Sequence, residues 1–176
     1  MVSNYCCGDY LLMPDVWQRT LATVGDHLYF LGTDTHTTLA ENVWDPAAFI
    51  PAAVVVNLGT NDKLDERPHM RDAYRAAYLE LLVQTSAAFK AGWRGEGEWA
   101  GTLFVLVCGP MTDAYCSDTE MVLGNATRAG VRAVQYRMGA DGQGCCSCLG
   151  HPSAAQDAVL AQSLTTFIRA QLGWWN

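Results

Sequence analysis

Two short apolar runs set the limits on what this chain can fold into. Val54-Val55-Val56 ends in Asn57-Leu58-Gly59-Thr60-Asn61-Asp62, and Thr102-Leu103-Phe104-Val105-Leu106-Val107-Cys108 ends in Gly109-Pro110. Short unbroken runs of branched aliphatic residues, without polar alternation, are the pattern of parallel strands covered on both faces. Between them, after Pro68, the residues Met70, Ala73, Tyr74, Ala77, Tyr78, Leu81 and Leu82 recur at three- and four-residue spacing. That period predicts a helix with one apolar face, and Gly92 is expected just past its end. Strand, helix and strand in this order predict an α/β domain with a mainly parallel sheet and helices on both sides, a three-layer arrangement.

The rest of the chain continues the alternation. Pro14 is expected to open a short helix through Leu21, and His27-Leu28-Tyr29-Phe30-Leu31 reads as a short strand stopped by Gly32. A helix is predicted from Thr119 to Ala129, a strand from Val131 to Tyr136, and a Gly- and Cys-rich loop from Gly139 to Gly150. The closing helix is predicted from Ser153 to Leu172, with Ala155, Val159, Leu160, Leu164, Phe167, Ile168 and Leu172 facing inward. No internal repeat divides the 176 residues, a length that suits one domain over 1–176.

Charge and cysteine content narrow the classes of function. Eleven basic residues are scattered among eighteen acidic ones, giving a net charge of −7. A nucleic-acid groove needs clustered Lys and Arg, so no nucleic-acid partner is expected. No apolar run approaches the ~20 residues of a membrane span, and the start, MVSNYCCGDY, carries no visible signal peptide. Seven cysteines (Cys6, Cys7, Cys108, Cys116, Cys145, Cys146 and Cys148) are an odd set, so at least one is left over from pairing within the chain. With the sequon Asn125-Ala126-Thr127 they point to an oxidising, secreted or extracellular setting. Disulfides are expected among Cys108, Cys116, Cys145, Cys146 and Cys148, with bridges from the loop cysteines reaching Cys108 or Cys116. Cys145-Cys146-Ser147-Cys148 with His151 lacks the spaced ligand pairs of a zinc site, so no metal is expected. No Gly-rich phosphate loop follows a strand, which argues against a flavodoxin-like cofactor binder and leaves no cofactor expected.

In parallel sheets, ligands bind beyond the carboxyl ends of the strands. Asn61 follows one such end, where its side-chain amide could donate to an oxyanion as charge develops on a carbonyl oxygen. The plainer alternative is that Asn61 and Asp62 cap a turn. His151 directly precedes Pro152-Ser153 at the start of the last helix, a setting that suits a general base for a hydroxyl nucleophile. The alternative there is a surface histidine. His27, His36 and His69 have no comparable setting. A Cys148 thiol paired with His151 is a further option, without any feature that would lower its pKa. Trp93 and Trp99 could stack on a sugar ring or cover the edge of the core.

Taken together, Gly59-Thr60-Asn61-Asp62 after a Val-rich strand and Gly150-His151-Pro152-Ser153 before the C-terminal helix resemble the SGNH (GDSL-type) hydrolases. The detail is closest to the carbohydrate acetylesterases grouped as family 2. The resemblance implies a flavodoxin-like fold of that family, with Gly59 and Asn61 in the oxyanion loop and His151 as the catalytic His. The two blocks lie 151 − 61 = 90 residues apart, in the family's order. Val105 to Met111 resembles the strand and turn between them. Asn4-Tyr5 and Met13-Pro14-Asp15 to Arg19-Thr20-Leu21 resemble the segment that follows the family's second block, so the likeness runs along nearly the whole chain.

Two departures shape what the resemblance implies. The broad family places an Asp three residues before the catalytic His, and Cys148 stands there; in the family-2 branch a backbone carbonyl can orient the His instead, as a Ser-His dyad. Asp141 and Asp157 are alternative partners. The family's nucleophile is the Ser of a Gly-Asp-Ser motif after the first strand, and no Ser of this chain has that setting; Gly8-Asp9-Tyr10 is the nearest. The second block, whose Gly supplies an oxyanion N–H, also lacks a match. The expectation is therefore an esterase domain lacking its first strand–helix unit. The full-length parent would remove acetyl groups from a carbohydrate or cleave a small ester, and residues 1–176 alone would be poorly soluble or inert. The alternative is a non-catalytic relic of the same fold that binds a glycan or a protein partner.

Overall fold

The computed structural model describes residues 46–59, 62, 68–93, 100–139 and 151–173. The predicted helix at Pro14 and strand at His27 lie outside these residues. The elements are strand β1 (Ala53–Asn57), helix α1 (Arg71–Gly92), strand β2 (Leu103–Cys108), helix α2 (Cys116–Arg128), strand β3 (Ala133–Arg137) and helix α3 (Ala154–Leu172). Short 3₁₀ turns at Pro46–Ala48 and Pro68–Met70 precede β1 and α1.

The three strands form one open, parallel sheet in the order β1-β2-β3. Val55 lies opposite Val105, which in turn lies opposite Val134. The alternation of side chains along β2 divides the core into two layers. Phe104, Leu106 and Cys108 pack against Tyr74, Tyr78, Leu82 and Phe89 of α1 and Val122 and Ala126 of α2. Leu103, Val105 and Val107 face the other way, towards Leu164, Phe167, Ile168 and Leu172 of α3. Every side chain of β2 is buried, each large one contributing roughly 1.5–3 kcal/mol through removal from water. The α/β class and the parallel pairing follow the expectation.

β1 departs from it. Val54 and Val56 pack towards α1, but Val55, on the face towards α3, is 45% exposed. The apolar residues of α3 lie against β2, β3 and Ala53, so among the described residues the outer strand is covered on one face only. Ala155 and Val159 are corrected for the same reason: both are exposed. The inward stripe of α3 runs from buried Leu160 through partly buried Leu164 and Ile168, with Phe167 and Leu172 beside it, and Ala155 and Val159 sit on its flank.

The element ends shift by local chemistry. Gly92 is the last residue of α1, not the residue beyond it. A Cβ there would come within 2.8 Å of the Ala47 nitrogen and 2.9 Å of the Pro46 carbonyl carbon. It is glycine so that the 3₁₀ turn can touch the helix end. Helix α2 begins at Cys116, before Thr119, and its first residue is joined to the end of β2 by a Cys108–Cys116 disulfide. Val131 belongs to the turn that closes α2, its N–H donating to the Ala126 carbonyl at 2.9 Å, so β3 starts two residues later. The Asn125 sequon lies in the last turns of α2, where the Asn125 side-chain oxygen accepts from Arg128, and not on the surface loop that a glycan acceptor suggests.

Candidate functional site

The strand direction gives the sheet two unlike edges, and hydrogen bonds fix which helix ends lie at each. Arg132, just before β3, donates to the Gln171 carbonyl near the end of α3. Tyr136, near the end of β3, donates to the Ser163 hydroxyl at 2.7 Å. Helix α3 therefore runs antiparallel to the strands, and its first turn lies at their carboxyl edge. Ser153 caps it with a capping box: its hydroxyl accepts from the Gln156 N–H while the Gln156 side chain accepts from the Ser153 N–H. Half-buried His151 stands two residues before this cap, and so at the carboxyl edge.

Gly59 stands at the same edge, two residues beyond β1, with φ of 113°. Its carbonyl accepts from the Asp62 N–H at 2.9 Å, closing a tight corner. A side chain at Gly59 has no room: a Cβ would lie 2.8 Å and 2.9 Å from ring atoms of Tyr115 and 3.0 Å from the Tyr74 hydroxyl. Tyr74 and Tyr78 support the strand from below, their phenols donating to the carbonyls of Leu58 at 3.1 Å and Val56 at 3.2 Å. Burial pushes both phenols up, so they stay neutral donors.

Asp62 is the titrating group of this corner. Burial raises its carboxyl to about 6, against the opposing pull of its own backbone N–H. A carboxyl in that range can hold or release a proton near neutral pH. Its charge lies close enough to Tyr74 to raise that phenol further.

The middle of the edge is built by β2 and the turn after it. The Gly109-Pro110 peptide bond is cis. The Gly109 carbonyl accepts from the Asn57 side-chain amide at 3.1 Å, and the Met138 N–H donates to the Cys108 carbonyl at 2.8 Å. Behind this turn, buried Asp118 on α2 accepts from Arg71 and, at 2.7 Å, from Arg75 of α1. Arg71 also donates to the Ala114 carbonyl at 3.0 Å, tying α1 to the loop that leads into α2.

Among the residues expected from the sequence, Gly59 and His151 come to one sheet edge. Asn61 lies outside the described residues, as do Trp99, Asp141 and the loop cysteines Cys145, Cys146 and Cys148. Cys108 and Cys116 are bonded to each other, which replaces the expected bridge from that loop to either of them. Asp157 is exposed in the first turn of α3, and Trp93 caps the end of α1 at 37% exposure, at the opposite edge of the sheet. No three His, Cys, Asp or Glu side chains gather as metal ligands among the described residues. Sequence reading missed Asn57, Tyr74, Tyr115 and Asp118. Asn57 and Tyr74 stand beside or within apolar segments, the one signal available, whereas Tyr115 and Asp118 lie in a polar stretch and had none. Comparison with family models, with curated proteins and with solved structures returned no match to this chain.

Proposed function

We propose that the protein is the C-terminal part of an SGNH-type esterase that removes acetyl groups from a carbohydrate. The observation that carries this reading is the convergence of the Gly59 corner and the His151 end of α3 on the carboxyl edge of a parallel sheet. Ligands of open α/β sheets bind there. In this reading a serine hydroxyl attacks the acetyl carbon and His151 takes its proton. Asn61 then donates to the tetrahedral oxyanion, the ester C–O bond breaks as His151 passes the proton to the departing sugar hydroxyl, and water hydrolyses the acetyl-serine to acetate and free serine. In this reading the serine belongs to a strand–helix unit outside the described residues. Two features favour such a unit: β1 has a free edge among the described residues, and Val55 is 45% exposed beside it. A further parallel strand with its helix would cover both.

The test is covalent. A fluorophosphonate ester, given to the protein with its native upstream sequence, should phosphonylate one serine, with loss of fluoride. Peptide mapping should place that serine in a Gly-Asp-Ser segment. Absence of labelling in folded protein would favour the second reading, a binding module that has lost its nucleophile.

A further inference from the structure

The Gly59 corner is not free to choose its shape, and the cause lies on another element. Tyr115 is 1% exposed, and its ring lies directly against Gly59, where a Cβ would be 2.8 Å from Tyr115 Cγ. The ring is positioned by a backbone held on both sides. The Tyr115 carbonyl accepts from the Thr119 N–H at 2.9 Å and from the Thr119 hydroxyl at 3.0 Å. The next residue, Cys116, donates its N–H to the Asp113 carbonyl at 3.0 Å. Its own carbonyl accepts from the Gln135 side chain of β3 at 2.9 Å. Finally, Cys116 is bonded to Cys108 at the end of β2, with Cα atoms 5.3 Å apart.

We propose that Tyr115 is the positioning residue for the Gly59–Asp62 corner, and that the Cys108–Cys116 disulfide holds Tyr115 in place. The bridge joins the central strand to the first residue of α2, so the tyrosine beside it keeps a fixed height above the sheet edge. Gly59 rests on that ring and on the Tyr74 hydroxyl, and the corner closes through the Asp62 N–H. Naming this corner an oxyanion loop rests on the esterase reading; the coupling of the disulfide to the corner does not.

The experiment compares amide hydrogen exchange at two bonds in the folded protein. One is the Asp62 N–H, which donates to Gly59; the other is the Leu103 N–H, which donates to the Ala52 carbonyl at the opposite end of the sheet at 3.0 Å. The variants are Tyr115→Phe, Tyr115→Leu and the pair Cys108→Ala/Cys116→Ala. Removing the bridge also lowers global stability, which speeds both amides alike. Local release of the corner appears only as excess exchange at Asp62. The expected result is that Tyr115→Leu and the cysteine pair accelerate Asp62 by at least about tenfold more than Leu103. Tyr115→Phe, which keeps the ring against Gly59, should stay closer to wild-type protection than Tyr115→Leu. Parallel acceleration of both amides, or equal effects of Phe and Leu, overturns the proposal. If the cysteine pair does not fold, the two Tyr115 variants decide the positioning role with the bridge intact. Ester hydrolysis is not read, so failure of the esterase assignment and failure of this coupling are separate results.

Discussion

Gly109 and Gly130 offer a paired test of how tightly the carboxyl edge is built. Their backbone φ values are nearly equal, 88° and 81°, so replacing either by Ala imposes a similar left-handed penalty of roughly 1 kcal/mol. Their surroundings differ. A Cβ on Gly130 meets nothing within 4 Å, whereas on Gly109 it would lie 2.2 Å from the Met138 carbonyl oxygen and 3.2 Å from its carbon. That neighbour is backbone, and the same residue donates its N–H to the Cys108 carbonyl at 2.8 Å. Moving Met138 away strains this bond, and moving Gly109 instead strains the bond its carbonyl accepts from Asn57 at 3.1 Å. Each bond is worth about 1 kcal/mol net. Gly109→Ala should therefore cost about 2 kcal/mol, the left-handed penalty plus one strained bond, and Gly130→Ala about 1 kcal/mol. Urea unfolding with the disulfide intact measures both, provided the slopes match that of the wild type. Losses within about 0.5 kcal/mol of each other would refute the packing argument.

Two further perturbations test the electrostatics. Asp118→Asn leaves Arg71 and Arg75 facing a neutral, buried partner and should cost about 2–4 kcal/mol in the same urea assay. Because the carboxylate is buried, 0.5 M salt (about three times physiological) should leave most of that difference in place. Asp62 titrates at about 6 when folded against 3.8 as a free group, so the native state binds the extra proton between those values. Its contribution to stability is present at low pH, falls as pH rises from about 4 to about 6, and is flat above. Asp62→Asn should remove that slope and be more stable at pH 7 by about 1 kcal/mol, a value reduced for the group's partial solvation. A difference between the two proteins that does not change with pH would contradict this.

The buried strand β2, the helix α1 and the closing helix α3 were legible because each declares itself locally. Leu103 to Cys108 is apolar without a break, Tyr74 and Tyr78 repeat at helical spacing, and Leu160, Leu164, Phe167 and Ile168 do so after Pro152-Ser153. Helix α2 was placed late because Tyr115, at its cap position, offers no capping side chain. Its start is set by a covalent bond to a residue eight positions back, which propensity does not register. Val55 and Val159 read as core from an unbroken apolar run and from helical spacing, yet coverage depends on which strands α3 crosses, a tertiary fact. At the site, the placement of Gly59 and His151 followed from strand order and helix direction. The support beneath them, Tyr115 under Gly59 and Asp118 between two arginines, joins residues more than forty positions apart and leaves no trace in local pattern.

Acetate release from an acetylated polysaccharide tests the proposed function most directly, with three proteins compared. These are residues 1–176, the protein with its native upstream sequence, and the latter carrying His151→Ala. The account predicts turnover only for the longer wild-type protein, lowered at least about 1000-fold by His151→Ala, as expected when the general base of a serine hydrolase is lost. Turnover by residues 1–176 alone, or turnover by the longer protein that survives His151→Ala, would contradict it.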